Sequence, residues 1–262
     1  MSALKRAASS LRLAALLLCA LGVCAQPAPE RPLVTVVSGY WNLSVSKHSA
    51  RDYAAWFNTS LRVAAPYVFY YGAAGEPGAA ADAAAEGVRA AAAAARGALP
   101  TRFVRRDVRS FSVAGSYDAA WVNGQHVPSA ELALVWLEKL ALLTDAAAAD
   151  PAGADWLAWV DAGAACYRTA APPPGPWPDA AQLATLPIDR LIYSGTRSSL
   201  HDVAGTAFML HRTLLPRLPA LFAEQRALCA LRWRDWRCGS DQVLFTAMRD
   251  RYPSLFYRLA EG

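Results

Sequence analysis

The stretch "WLAWVDAGAACYR", residues 156–168, decides how the chain is read. Trp156 to Val160 is an unbroken apolar run, which suits a buried strand. One carboxylate, Asp161, closes it. Ala162 and Gly163 follow and suit a turn. A lone acid at the end of a buried strand is the feature that the rest of the chain must explain.

Working outward, strands and helices alternate. Leu33 to Trp41 is rich in β-branched and aromatic residues and is predicted as a strand. His48 to Ala64 carries a helical stripe of Tyr53, Trp56, Phe57, Leu61 and Ala64, stopped by Pro66. Tyr67 to Tyr71 is a second strand, closed by Gly72. The alanine tract 73–98 predicts a helix around Val88 to Ala98 and no chemistry. Thr101 to Val108 is a third strand, and Ser129 to Thr144 an apolar helix capped by Ser129. Trp156 to Val160 is the fourth strand. "PPPGPWP" at 172–178 is a rigid loop, and Arg190 to Gly195 and Val203 to Leu210 are short strands. Leu215 to Leu228 is helical with a kink at Pro219, and Ser240 to Arg251 is the last helix, stopped by Pro253. This order predicts an α/β fold, an open and mostly parallel sheet with helices on both faces. Such sheets bind ligands outside the carboxyl ends of their strands, where Asp161 stands.

The amino terminus is read separately. Lys5, Arg6 and Arg12 precede the apolar run Leu13 to Ala25, and Val23 and Ala25 fit a small-residue cleavage pattern. Residues 1–25 are therefore expected to be a signal peptide, or a short signal anchor, with 26–32 an extended leader and 33–262 one domain. The run of 13 is short for a membrane span of about 20 residues. The whole chain has 26 basic and 21 acidic residues. Without the three basic residues of the leader the balance is 23 against 21, which argues against nucleic acid as a partner. A membrane is a partner only if the amino-terminal segment is retained. Three of the five cysteines lie beyond the leader, and Cys229 with Cys238 is the expected pair, leaving Cys166 over. The sequons at Asn42 and Asn58 agree with a secretory route to the ER or Golgi lumen or to secretion.

Four places carry candidate chemistry. Asp161 is either a turn aspartate or a ligand for a divalent cation, manganese or magnesium, that also holds a diphosphate. Lys139 lies on the edge of the apolar stripe of its helix, about 100° from a solvent face of Glu131, Glu138 and Asp145. It either snorkels to water or offers a cation to phosphate or to Asp161. In "CGSDQVLF", 238–245, Ser240 can cap the helix and Asp241 can complement its dipole. Asp241 can equally act as a general base or hold an acceptor hydroxyl. In "HDVAGTAFMLHR", 201–212, His201 and His211 bracket a strand and Gly205 permits a close approach. The sequence has no G-x-S-x-G, no P-loop, no G-x-G-x-x-G and no H-E-x-x-H, which removes the commonest serine hydrolases, phosphate-loop enzymes, dinucleotide enzymes and zinc proteases.

Taken in order, "VTVVSGYWNL", "YAAWFNTSL", "LALVWLEKLALL", "WLAWVDAGAACYR", "VAGTAFMLHR" and "SDQVLFTAMRDRYPSLFYRL" resemble the HtrL/YibB family over about residues 33–259. That family is similar to nucleotide-diphospho-sugar transferases of the GT-A type. The resemblance implies a glycosyltransferase with a nucleotide-sugar donor, a glycan or other hydroxyl acceptor, and a metal-assisted diphosphate leaving group. It implies that Asp161 is the first aspartate of the metal motif, with Gly163 where the second would stand. Asp241 matches the carboxylate near the acceptor. Tyr40 and Trp41 fall where such folds hold the base, and Lys139 and His211 would add positive charge. The departure at Gly163 favours a second reading, a non-catalytic lumenal protein that binds a glycan or nucleotide. A third is a hydrolase using Asp161 and Asp241 as a carboxylate pair.

Overall fold

The computed structural model describes residues 33–150, 153–164, 167–168, 170–196, 198 and 200–259. The expected leader and Cys166 lie outside the described residues. Seven strands form one sheet: β1 Val34–Tyr40, β2 Tyr67–Tyr71, β3 Thr101–Arg105, β4 Trp156–Val160, β5 Leu191–Gly195, β6 Val203–His211 and β7 Phe256–Arg258. Their spatial order is β3-β2-β1-β4-β6-β5-β7. Pairs β1–β2, β1–β4, β2–β3 and β5–β7 are parallel, while β6 runs against both β4 and β5. The sheet is open and mostly parallel with helices around it, as expected of the α/β class.

The main helices are α1 Ala50–Ser60, α2 Ala79–Arg96, α3 Ala130–Ala148, α5 Leu218–Arg232 and α6 Asp241–Arg251, with α4 Ala180–Leu183 a single turn. The two faces of β1 separate by alternation. Val34 and Val36 join Phe57 of α1, Leu61 just after it, and Val88 and Ala92 of α2. Val37 joins Leu137, Leu140, Phe222 and Phe245 from α3, α5 and α6. Helices thus cover both faces, as a parallel sheet requires.

Local chemistry accounts for the boundaries. Ser49 Oγ accepts from the Asp52 N–H at 3.2 Å, and Asp52 Oδ2 accepts from the Ser49 N–H at 3.0 Å. This capping box starts α1 two residues after the expected His48. Ser129 Oγ accepts from the Leu132 N–H, as expected of a cap for α3. Pro219 sits in the first turn of α5 and kinks nothing, because that position needs no N–H. The final strand β7 was not expected, for three residues after Pro253 carry too little pattern. Cys229 and Cys238 form the expected disulfide. No helix among the described residues is long and apolar enough to cross a membrane.

Two helical residues depart from expectation. Glu138, placed on the solvent face of α3 by its period, is buried and accepts from Ser112 N, Ser112 Oγ and Val113 N. The loop after β3 folds over that face and uses the carboxylate to satisfy its amides. Arg96, at the end of the alanine helix, is also buried. It donates to the carbonyls of Leu61, Val63, Ala65 and Pro100 and to Thr101 Oγ1, which settles the polar groups of the α1–β2 loop.

Candidate active site

The strand order reverses between β1 and β4, so the crevice at their carboxyl ends is the switch point of the sheet. Asp161 stands there. Its N–H donates to Thr206 O at 2.8 Å and its C=O accepts from Ala164 N–H at 2.9 Å, so the backbone does form the turn. Ser60 Oγ donates to Ala162 O and ties that turn to α1. The side chain does something else. Its Oδ1 accepts from Trp159 Nε1 at 2.6 Å and lies 3.1 Å from Lys139 Nζ.

Lys139 is the centre of the arrangement. It is 2% exposed and does not snorkel. Its Nζ donates to Gly205 O at 2.7 Å, and it pairs with Asp161 Oδ1 at 3.1 Å and Asp241 Oδ2 at 2.8 Å. One hydrogen bond and two ion pairs thus enclose the ammonium. Three elements far apart in the chain, α3, the end of β4 and the start of α6, therefore meet on one nitrogen. β6 supplies the fourth side. A Cβ at Gly205 would overlap Asp241 Oδ2, so only glycine lets that carboxylate lie against the strand.

The electrostatics follow from this geometry. Burial pushes the Lys139 ammonium down, but Asp161 and Asp241 outweigh it and hold it above its ordinary value, so it stays charged. Burial pushes the Asp161 carboxyl up, against the pull of Lys139 and the Trp159 N–H. The two acids differ in access. The Asp161 side chain is 28% exposed and that of Asp241 is 4% exposed. Both contacts of Asp161 go to Oδ1, which leaves Oδ2 for the crevice. Asp241 also accepts from Gln242 N–H at 2.8 Å, so both of its oxygens are engaged.

The crevice is walled by Tyr40, Tyr53, Trp136, Trp159, Gly163 and Arg168, around a cavity volume of about 80 Å³. Tyr40 packs against Tyr53 with the rings tilted and their centroids 4.5 Å apart, and burial pushes its hydroxyl up to about 12. Arg168 lies over Trp56 at 4.0 Å, donates from Nε to Gly163 O at 2.9 Å, and its Nη2 meets His48 Nε2 at 3.3 Å. Lys47 lies over Trp136 at 4.7 Å and lines the same recess as Lys139, Asp161 and Asp241. Burial, and then Arg168, push His48 below its ordinary range.

The expected site residues thus divide. Asp161, Asp241 and Lys139 converge, and Tyr40 joins the wall. Trp41 lines the same crevice but is 2% exposed, and its Nε1 donates to Arg106 O at 2.8 Å. Its ring edge is what a side chain at Gly39 would strike. His211 is excluded. β6 is antiparallel to β4, so His211 pairs with Trp156 while Ala207 pairs with Val160. The histidine lies at the opposite end of the sheet, about 17 Å along the strand from Asp161. It was misplaced because the sequence does not show which way β6 runs. Asp161 and Asp241, expected as a metal ligand and an acceptor-side carboxylate, flank Lys139 instead. Lys47, His48 and Arg168 were not singled out, since a loop carries no period to read.

The expected divalent cation at Asp161 does not fit these donors. The acid already shares a buried ammonium, which a metal ion would have to approach against like charge. A Cβ at Gly163 would come 2.7 Å from Trp56 and 2.9 Å from Tyr53, so the place of a second aspartate is filled by aromatic rings. No cluster of three or more potential ligands occurs among the described residues.

No family model matches the chain, and no curated protein matches it. Among solved structures the chain is similar to one described as a crystal structure of a glycosyltransferase involved in the glycosylation of the major capsid of PBCV-1. The two are 12% identical, with 87% of this chain and 82% of that chain covered and a TM-score of 0.44.

Proposed function

We propose that the chain is a glycosyltransferase that uses a nucleotide-sugar donor. The observation that carries this reading is the Asp161–Lys139–Asp241 cluster at the switch-point crevice, beside an aromatic wall and two further cations. The base would lie against Tyr40 and Tyr53, and the diphosphate would turn toward Lys47 and Arg168. An acceptor hydroxyl would reach Asp161 Oδ2. Its oxygen forms the new bond to the anomeric carbon, and the bond from that carbon to the phosphate oxygen breaks. The diphosphate leaves with the electron pair, and the hydroxyl proton passes to a carboxylate, for which Asp161 is the exposed candidate. The upward direction of its pKa suits a base, since a less acidic carboxyl binds the proton more readily. Asp241 would act by positioning Lys139. The ordered motifs support an HtrL/YibB-type assignment. The Cys229–Cys238 bond supports a lumenal site of action.

A second reading, a non-catalytic protein of the same fold that binds a nucleotide or glycan, is favoured by the ion pairs that engage both acids. One experiment separates the two. Melting temperature is measured against a panel of nucleoside diphosphates, and release of free nucleoside diphosphate is measured from the matching nucleotide sugars. Ligand at 100 times its Kd stabilises by about 2.7 kcal/mol. A shift with turnover that Asp161→Asn abolishes supports the transferase. A shift without turnover on any donor and acceptor leaves the binding protein. No shift with any nucleotide overturns both nucleotide readings.

A further inference from the structure

We infer that this site holds the donor's diphosphate with protein cations alone, Lys47 and Arg168, and that Lys139 stands where a divalent ion would bridge the two carboxylates. This rests on the nucleotide-sugar reading and goes beyond it, for it names the groups that neutralise the leaving group.

Three observations lead there. A bridging cation is already present in covalent form, since one Nζ lies 3.1 Å from Asp161 and 2.8 Å from Asp241, and donates to Gly205 O at 2.7 Å. Lys139 is 2% exposed and enclosed by these three oxygens, so it is not presented to a phosphate in the crevice. Its work is to hold Asp161 and Asp241 together, which is the structural work of a metal bridge. The position two residues after Asp161, where a second acidic ligand would stand, has no room for a side chain. The rings of Tyr53 and Trp56 that fill it also seat Arg168, whose guanidinium lies on Trp56. The residue that supplants the second ligand is thus part of a cation mount.

Charge counting agrees. Lys47, Lys139 and Arg168 face Asp161 and Asp241 around one recess, so three positive charges meet two negative ones. His48 and His201 are both pushed below their ordinary range, chiefly by burial, and add no charge at neutral pH. The surplus sits on Lys47 and Arg168. Lys47 makes no ion pair among the described residues, and the bonds of Arg168 use Nε and Nη2, which leaves Nη1. Two cations on aromatic platforms at the mouth of a crevice suit a diphosphate, and Arg168 can present donors to two oxygens.

The test uses inorganic pyrophosphate, uridine diphosphate and guanosine diphosphate as probes, titrated calorimetrically into the full chain. Each titration is run in EDTA and again in excess manganese. Equal affinity within about twofold in the two buffers is expected, with a loss of about 10- to 100-fold in Lys47→Gln and in Arg168→Gln. Lys47 is exposed, so the unliganded Lys47→Gln variant should melt with the parent, which excludes misfolding. Binding that requires manganese overturns the inference and leaves the transferase reading intact. Metal-free binding that neither substitution weakens also overturns it. No binding in either buffer overturns the transferase reading and the inference together.

Discussion

Two cations are buried in this molecule on opposite faces of the sheet, Arg96 at the end of α2 and Lys139 within α3, each 2% exposed. Arg96 spends its five N–H donors on five neutral oxygens, four carbonyls and the hydroxyl of Thr101. Nothing around it carries a compensating charge, and burial pushes its pKa down to about 10. Lys139 donates to one carbonyl and pairs with two carboxylates, which hold its pKa up against the same burial. Both cations are enclosed by oxygens, neutral ones in the first case and charged ones in the second. Arg96 closes the polar account of a loop. Lys139 assembles two acids that would otherwise repel each other, beside a crevice. A buried charge whose partners are neutral is explained by folding; one whose partners are like charges brought from distant segments asks for a function.

Breaking the second arrangement should have the larger effect. Lys139→Met leaves two buried carboxylates side by side, and removing one partner of such a cluster costs about 3–5 kcal/mol. The sign with pH follows from the acids. Burial already raises the folded pKa of Asp161, and without the ammonium it rises further. A carboxyl with a raised folded pKa favours the native state most below its unfolded value and loses that advantage as pH rises through the folded one. Urea denaturation of Lys139→Met should therefore show the smallest deficit near pH 4 and the largest at pH 7 and above. In the parent the ammonium is raised as well, so its own contribution is complete below about 10 and lost only above that. A deficit that does not change with pH would mean that the acids are not coupled through Lys139.

Arg96 supplies the contrast. Arg96→Met strands several loop carbonyls, and a loss of about 3 kcal/mol is expected, softened because the loop can admit water. Both the folded value of about 10 and the ordinary arginine value lie above the working range. The deficit should therefore be flat from pH 5 to 9. Nucleotide affinity should match the parent's, because Arg96 sits against the residues that precede β2 and β3, at the amino ends of the strands, while the crevice lies at the carboxyl ends. Hydrogen exchange at 61–66 is the sensitive readout.

The same contrast marks what the sequence could show. The strand at 156–160, the cap at Ser129 and the helical period of α3 are local, and each was legible from a few neighbouring residues. The convergence of Lys139, Asp161 and Asp241 was suspected from residue type and from the ends of elements, which works because open α/β sheets place chemistry at strand ends. His211 failed because an antiparallel β6 looks no different in sequence from a parallel one. Glu138 failed because period alone does not show that a loop folds over a helix face. Arg96 was hidden in alanine for the same reason, since its partners lie about 30 residues upstream. The role of Gly163 needed Tyr53 and Trp56, contributed by a different helix.

The finest test sets the two acids against each other, because they share Lys139 but not their access to solvent. Asp241 is the deeper, with both oxygens engaged, so Asp241→Asn weakens the ion pair and puts amide hydrogens against the ammonium. A loss of about 2 kcal/mol is expected. Asp161→Asn should cost less, about 1 kcal/mol, because its side chain is 28% exposed and water screens the change. For turnover the order should invert. Asp161 presents Oδ2 to the crevice, and its amide variant cannot take a proton, so kcat should fall by about 10²-fold or more. Asp241→Asn touches no substrate and should act through the position of Lys139, with a smaller fall in kcat that a lower temperature partly restores. Parallel denaturation curves and rate measurements on the two variants decide it. If the same substitution is worse for both stability and turnover, the division into one acid that holds the cluster and one that faces the substrate is wrong.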